Sequence, residues 1–193
     1  MRSKFDEQLL QLNTEIIKLG ALCENIIAMS AKALLEGDES LAAEVTELSG
    51  KIERKERDIE EMCLRLLLQQ QPVAGDLRVI SSALKMVTDM ERIGHQSADI
   101  ADILTSAHIS PPDDSLPIHD MAQAAIKMVT GSVDAFVKKD VAAAREVISY
   151  DDVVDAGFDR VKNALRRPRG QYCRMGTVFD NGRPRNDKLK ATG

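Results

Sequence analysis

Aromatic residues are scarce in this chain of 193 residues: they make up 3% of the sequence, and tryptophan is absent. β-Sandwiches and barrels draw heavily on aromatic and β-branched side chains, so the shortage argues against an all-β fold. The residues that dominate instead, Leu, Ala, Glu, Lys and Met, are strong helix formers. Hydrophobic residues account for 44% of the chain and charged residues for 30%. The composition predicts an all-α protein.

Long apolar runs and a cysteine pattern are also missing. The apolar runs fall far short of a bilayer span, and the first ten residues lack the apolar core of a signal peptide. The three cysteines, Cys23, Cys63 and Cys173, stand at wide, irregular spacing that matches neither a disulfide framework nor a zinc motif. We therefore expect a cytoplasmic protein with no direct membrane insertion.

Charge is unevenly distributed along the chain. The net charge is −5, but residues 166–193 carry eight Lys or Arg against two Asp, or +6. The other 165 residues therefore hold 18 basic and 29 acidic side chains, or −11. An acidic body repels nucleic acid and suits cations or basic partner surfaces, so we expect no nucleic-acid partner.

Residues 1–109 contain three long amphipathic segments, in which apolar residues recur three and four positions apart. The first segment ends at Gly37, and Asp38 is the expected N-cap of the second segment. Asp76 is the expected N-cap of the third segment. Three such helices with short connections predict an antiparallel three-helix bundle. The apolar positions of the first segment are Phe5, Leu9, Leu12, Ile16, Leu19, Cys23 and Ile26, and those of the second segment are Leu41, Val45, Leu48, Ile52, Ile59, Cys63 and Leu66.

The pattern restarts after a linker. Residues 110–117 contain three prolines and no period, which predicts a linker. Segment 33–38 then aligns with segment 135–140 at a spacing of 102 residues, and Ile52 aligns with Val154. The repeat predicts a partial second bundle over residues 118–165, with helices at 118–138 and 141–163.

The second bundle is expected to be incomplete, because at this spacing its third helix would run past residue 193. A hairpin that lacks its third helix exposes an apolar face of the kind that drives association. We therefore expect this half to be loosely packed or to borrow a neighbour's surface in a homodimer or other homo-oligomer.

The third amphipathic segment changes from apolar to polar residues along its predicted inward stripe. It begins with Ile80, Leu84 and Val87. We expect the inward stripe to continue through Glu91, His95 and Ala98 to Asp102, so that the buried face turns polar. Gly94 lies inside this stretch and costs about 1 kcal/mol relative to Ala in a helix. Its presence predicts that another group approaches the helix backbone closely at this point.

The polar stretch is a candidate metal site, because carboxylates with one imidazole suit Mg, Mn, Fe or Zn. Glu56 and Glu60 of the second segment could supply further carboxylate oxygens as metal ligands from across the bundle. Two alternatives remain open: the acidic residues form a solvated face, or Arg92 pairs with them in a structural salt bridge. The four residues of the stretch are Glu91, His95, Asp99 and Asp102.

Two segments of the chain form sequence motifs that are specific to one protein family. They are Gln70-Gln71-Pro72-Val73-Ala74-Gly75-Asp76-Leu77-Arg78 and Glu91-Arg92-Ile93-Gly94. On these segments the chain, over about residues 5–163, resembles the PhoU family of accessory regulators of the phosphate-specific transport system. The resemblance implies tandem three-helix bundles and a cytoplasmic negative regulator of the phosphate-starvation response. It implies contacts with the phosphate transporter ATPase subunit and with a membrane sensor histidine kinase.

The resemblance also implies metal clusters held by acidic pairs spaced Glu/Asp-x-x-x-Asp. In the first repeat this pair maps to Glu91 and position 95, which is His here. In the second repeat Asp155 and Asp159 have the same spacing.

The basic tail has a different expected origin. Read one base later, codons for residues 166–182 can encode Gly-Asp-His-Ala and then Asn-Ile-Ala-Glu-Trp, the ending that the PhoU resemblance implies, and Met175 followed by Gly176 forces the Trp. We therefore expect residues 166–193 to be a non-native, disordered basic tail produced by out-of-frame translation.

Three classes of function compete on the sequence. A regulatory protein without catalysis is favoured, because no nucleophile triad or Gly-rich phosphate loop is present. The alternative is a metal-binding carboxylate helical-bundle enzyme of the ferritin-like type, which needs Glu-x-x-His motifs that none of the three histidines provides. A purely structural coiled-coil scaffold is the third possibility, and the polar stretch from Glu91 to Asp102 argues against it.

Overall fold

Five α-helices make up almost all of the chain that the computed structural model describes, which is residues 2–69, 73–107, 111–112 and 115–166. No strand occurs within these ranges. The predicted all-α fold is confirmed. The predicted tail lies outside the described residues, apart from Arg166, which ends the last helix. The helices are α1 (Arg2–Glu36), α2 (Glu39–Gln69), α3 (Ala74–Ala107), α4 (Ile118–Lys138) and α5 (Val141–Arg166).

The first three helices pack against one another pairwise as a three-helix bundle. Their stripes of Leu, Ile, Val and Cys meet in one core, and removing a large aliphatic side chain from water contributes about 1.5–3 kcal/mol each time. The apolar stripes predicted for α1 and α2 are confirmed, with only Leu9 and Leu41 partly buried. The fully buried large residues of α1 and α2 include Leu12, Ile16, Leu19, Cys23, Ile26, Val45, Ile52, Ile59, Cys63 and Leu66.

The same turn joins α1 to α2 and α4 to α5. In each turn the residue after the first helix is left-handed, Gly37 at φ 66° and Lys139 at φ 55°. The aspartate that follows then caps the next helix: Asp38 Oδ1 accepts bonds of 2.9 and 3.0 Å from two backbone N–H groups, and Asp140 Oδ1 does the same. Because these residues stand 102 positions apart, the turns confirm the internal repeat in atomic detail.

Helix α4 joins the two repeats by packing on α1. A Cβ placed on Gly20 would lie 2.9 Å from the Val133 Cγ2, so the two helices approach closely at this glycine. Thr130 Oγ1 also donates a hydrogen bond of 2.6 Å to Glu24 Oε1. Val129 and Val133 belong to the same apolar core as α1–α3, so α4 is anchored on the first bundle.

Helix α5 contacts α4 and none of the other described helices. It lies close to α4 at two glycines, Gly131 and Gly157, where an added Cβ would overlap Val147 and Met121. Its outer side chains are in water; Ile148, for example, is 73% exposed. The second repeat therefore consists, in the described part of the chain, of a two-helix hairpin. No described helix is both long enough and apolar enough to span a membrane.

Candidate functional site

The inward face of α3 follows a different course from the predicted one. Its buried residues are Ile80, Ala83, Val87, Met90, Gly94, Ser97, Ala101 and Leu104. The expectation that Glu91 and His95 continue the buried stripe is therefore wrong, since Met90 and Gly94 occupy those inward places. The physical reason is size: a search for large apolar residues passes over Gly94, Ser97 and Ala101, yet small residues let α3 lie close to its neighbours.

Gly94 marks the closest approach between α3 and α2. A Cβ at Gly94 would lie 3.1 Å from Ile52 Cγ2 and 3.3 Å from Ile52 Cδ1. The prediction that another group approaches the backbone at Gly94 is confirmed, and that group is the fully buried Ile52 side chain. The glycine is thus explained by packing between two helices of the bundle.

The polar residues of α3 lie on the bundle surface, beside the contact between α2 and α3. Glu91 is half-buried, and its Oε1 lies 3.7 Å from the Nε2 of the exposed His95. Asp99 and Asp102 are exposed further along the same helix. Arg92 pairs with Asp89 at 3.1 Å and not with Glu91, so the predicted salt-bridge alternative is not what the helix shows.

Glu56 is the one member of the predicted set that is buried, at 7% exposure. No hydrogen bond or ion pair to its carboxylate is found among the described residues. Burial, together with the negative charges of Glu60 and Glu91, raises the pKa of Glu56 above its usual value. The structure therefore brings Glu56, Glu60 and Glu91 into one negative patch where α2 faces α3, with Glu60 itself exposed.

The donor set does not converge as a metal cage. Within the described ranges, no three His, Cys, Asp or Glu side chains form a group that could hold a metal ion. Asp155 and Asp159 of the second repeat are both exposed, and Asp159 pairs with Lys162 at 3.7 Å. We derive no metal chemistry from this arrangement. Metal binding by the six residues stays a prediction, which metal analysis of the purified protein tests.

A groove of about 820 Å³ lies between the first bundle and the α4–α5 hairpin. Its walls come from α1, α3, α4 and α5, and most of its lining is apolar. Ile27 and Ser30 of α1 face it together with Val129 and Ser132 of α4, which are the same repeat positions 102 residues apart. The sequence predicted an uncovered apolar face on the hairpin but not the contribution of α1 to the groove, because Ile27 and Ser30 lie outside the predicted apolar stripe of α1.

Comparison with known proteins follows the same division into repeats. The family model described as PhoU domain matches residues 16–104 and 118–176, so it covers both repeats and more than half of the chain. The chain belongs to the PhoU family. The family resemblance carried by the two sequence segments is therefore confirmed.

Curated relatives agree with this membership. A phosphate-specific transport system accessory protein PhoU homolog from Pseudomonas aeruginosa is 33% identical over 165 residues, which cover 84% of this chain and 67% of the relative. A PhoU homolog from Synechocystis is 34% identical over 165 residues, covering 85% of this chain and 74% of the relative.

Solved structures show the same fold. The crystal structure of PhoU from Pseudomonas aeruginosa superposes with a TM-score of 0.76 at 29% identity, covering 90% of this chain and 87% of that one. The regulatory protein PhoU from Streptococcus pneumoniae superposes with a TM-score of 0.71 at 24% identity, covering 81% and 74% of the two chains, and supports the fold alone.

Proposed function

We propose that this PhoU-family protein is a non-enzymatic regulator of phosphate uptake that acts in the cytoplasm. In this proposal it dampens the phosphate-starvation response by contacting the ATPase subunit of the phosphate ABC transporter and a sensor histidine kinase. The observation that carries the proposal is the family match over both helical repeats. The names of the relatives, accessory proteins of the phosphate-specific transport system, support the link to phosphate transport.

The acidic surface of α2 and α3 supports a binding role. Glu60, Asp99 and Asp102 are exposed, and Glu91 is half-buried beside them. Outside residues 166–193 the chain carries 29 acidic against 18 basic side chains, so a basic surface on a partner would be attracted to it. We propose that this face contacts the transporter ATPase subunit.

The exposed apolar side chains of α5 support self-association. Ile148 is 73% exposed and Phe158 is 56% exposed, and both lie on a helix that packs against α4 alone among the described helices. A homodimer that covers this outer surface is the simplest arrangement consistent with the exposure. Sedimentation velocity on the full chain and on Ile148→Asp tests it: a dimer that the substitution dissociates supports the proposal, and a monomer at all concentrations contradicts it.

The partner proposal is tested by capture of the purified transporter ATPase subunit at high and low phosphate. The double variant Asp99→Asn, Asp102→Asn is expected to retain at least tenfold less ATPase subunit, because two of the three exposed charges of the acidic face are removed. Asp120→Asn on α4 is the matched control, since its carboxylate is also exposed but lies away from that face. Equal capture by the double variant and the wild type would contradict the assignment of this face.

The regulatory role needs a cellular readout. In cells that lack their own PhoU-family protein, expression of this chain is expected to lower the output of a phosphate-starvation reporter at high phosphate. The double variant is expected to lower the reporter less, while Asp120→Asn acts as the wild type does. Reporter output that is unchanged by the wild-type chain, at confirmed expression, would overturn the regulatory proposal.

A further inference from the structure

The beginning of α2 and the end of α3 lie at the same end of the first bundle, and this end is acidic. Residues 39–47 and 99–107 contain no Lys or Arg, and their acidic side chains are Glu39, Glu44, Glu47, Asp99 and Asp102. The carboxylates of Glu47, Asp99 and Asp102 form no hydrogen bond or ion pair with another described residue. They are therefore free to accept hydrogen bonds from a partner molecule.

Other carboxylates of α2 and α3 are neutralised within their own helix. Each pairs with an arginine three or four residues further on: Glu53 with Arg57, Glu61 with Arg65, and Asp89 with Arg92. The acidic end offers no arginine or lysine at such positions after Asp99 or Asp102. Its negative charge is thus left for something outside the bundle to balance.

A recess of about 390 Å³ lies between α2 and α3 at the acidic end. Thr46 Oγ1 donates a hydrogen bond of 3.4 Å to the Ala42 carbonyl, and Thr105 Oγ1 donates one of 3.2 Å to the Ala101 carbonyl. Because both hydroxyl protons are used within their own helices, the lining presents methyl groups and carboxylates and no free side-chain donor. The lining residues are Ala42, Ala43, Thr46, Glu47, Ala101, Asp102 and Thr105.

The recess is separate from the groove beside the α4–α5 hairpin. It belongs to the first repeat, where α1, α2 and α3 pack against one another pairwise. Ala42 and Ala101 are each only 1% exposed, so the floor of the recess is closed by two packed helices. The recess is therefore a feature of the surface of a complete bundle.

We propose that this recess is a docking site for a basic amphipathic segment of a partner protein, which inserts one aliphatic side chain between α2 and α3. Charge complementarity carries the choice of occupant, because a lining that offers only acceptors is matched by Lys or Arg donors. The same charges repel nucleic acid and anionic lipid. The proposal names the chemistry of the docked segment, and it rests on the proposed function where the partner is the transporter ATPase subunit.

The two walls of the recess also specify the pattern of the docked segment. Glu47 lies on α2 and Asp102 lies on α3, so a carboxylate stands on each side of the alanine floor. Asp99 extends the acidic wall of α3 by about one helical turn. The docked segment therefore carries basic residues on both sides of the inserted aliphatic residue.

The probe for this proposal is a fluorescent peptide of sequence LKKLLKLLKKLLKL, which places lysines and leucines on opposite faces of a helix. Binding to the full chain is measured by fluorescence anisotropy, with an expected Kd on the order of 10 μM. The analogue with glutamate in place of every lysine is expected to bind at least tenfold more weakly. High salt is expected to weaken binding of the lysine peptide as well, because it screens exposed charges.

Two pairs of protein variants locate the binding site. Thr46→Trp fills the recess without changing charge, and Thr14→Trp is its control, since Thr14 is an exposed threonine of α1 whose hydroxyl also bonds its own helix. Glu47→Lys reverses a charge of the recess, and Glu7→Lys does the same at an exposed position near the start of α1. Both recess variants are expected to weaken peptide binding at least tenfold, and both controls less than twofold.

Three outcomes would overturn the proposal: no binding of the lysine peptide, equal binding of its glutamate analogue, or unchanged binding by Thr46→Trp. If circular dichroism shows that Thr46→Trp is unfolded, unchanged binding by Glu47→Lys overturns it instead.

Capture of the transporter ATPase subunit separates this proposal from the proposed function. Equal capture by wild type and Thr46→Trp would overturn docking in the recess and leave the regulatory role intact. Peptide binding that Thr46→Trp and Glu47→Lys both abolish, together with no capture of the ATPase subunit by wild type, would support the docking site and contradict the proposed partner.

Discussion

At the scale of single residues, Glu56 is the most unusual side chain of the first bundle. Its side chain is largely buried where α2 faces α3, and its carboxylate lies near the negative charges of Glu60 and Glu91. Partial desolvation beside two like charges disfavours the charged form of a carboxylate, so its ionisation destabilises the folded state. Glu56 is therefore expected to lower the stability of the folded state at neutral pH.

Replacing Glu56 tests this cost. Because the pKa of Glu56 is raised in the folded state, its contribution to stability is fully present below its unfolded pKa and is lost as pH rises through the folded pKa. Glu56→Gln is expected to raise the free energy of unfolding at pH 7 by on the order of 1 kcal/mol. Urea denaturation between pH 4 and pH 8 measures both the gain and the flatter pH profile. Glu60→Gln, at an exposed position, is the control; a Glu56→Gln variant less stable than wild type at pH 7 would contradict the argument.

The two cysteines of the core give a second prediction at this scale. Burial raises the pKa of Cys23 to about 12 and that of Cys63 to about 11. The thiolate is the reactive form, so both side chains are expected to be inert at pH 8. In a Cys173→Ser background, a thiol reagent should modify neither cysteine in the native protein and both after unfolding. Rapid modification of the native variant would show that the core opens.

At the scale of helices and turns, the repeat is most informative where its two copies differ. The left-handed residue is Gly37 in the first turn and Lys139 in the second. A side chain in this conformation costs about 1–2 kcal/mol, which glycine avoids. The first turn is thus relaxed, whereas the second carries backbone strain.

Removing that strain is expected to stabilise the hairpin. Lys139→Gly should raise the free energy of unfolding by about 1 kcal/mol, because glycine adopts positive φ without a steric penalty. Gly37→Ala should lower it, since the new Cβ would take the strained conformation and would lie 3.1 Å from Pro111 Cγ. Thermal unfolding followed by circular dichroism measures both changes. A Lys139→Gly variant of lower stability would show that the lysine conformation is not strained.

At the scale of the whole molecule, the two repeats are held together unequally. Helices α1, α2 and α3 each pack against two partners of the first bundle, and α4 packs on α1. Helix α5 packs on α4 alone among the described helices, and few of its side chains are buried. Elements with few buried contacts open locally at a lower free-energy cost than the core.

Hydrogen exchange measures this difference directly. We expect the backbone amides of α5 to exchange at least tenfold faster than those in the centres of α1 and α2 when the protein is monomeric. Equal protection in both repeats of a monomer would contradict the picture of a loosely held second repeat.

Much of the fold could be predicted from the sequence because it depends on local patterns, namely the spacing of the repeat and the helical spacing of large aliphatic residues. The repeat spacing placed the last two helices at 118–138 and 141–163, and they are observed at Ile118–Lys138 and Val141–Arg166. The apolar stripes of α1 and α2 were predicted because their large aliphatic residues recur at helical spacing. The inward course of α3 was not, because its centre is made of Met90, Gly94 and Ser97, whose sizes become meaningful only against Ile52 and the other neighbouring helices.

The sequence by itself determined the helices, the turns between them and the family, because periodicity, glycine stops and aspartate caps act within a few residues. Only the tertiary structure decided which polar residues are buried and where a groove is left. Those outcomes depend on how helices distant in sequence approach one another, as Gly20 does with Val133 and Gly94 with Ile52. How closely two helices approach depends on the side chains of both helices. The residue pattern of one helix alone therefore does not determine it.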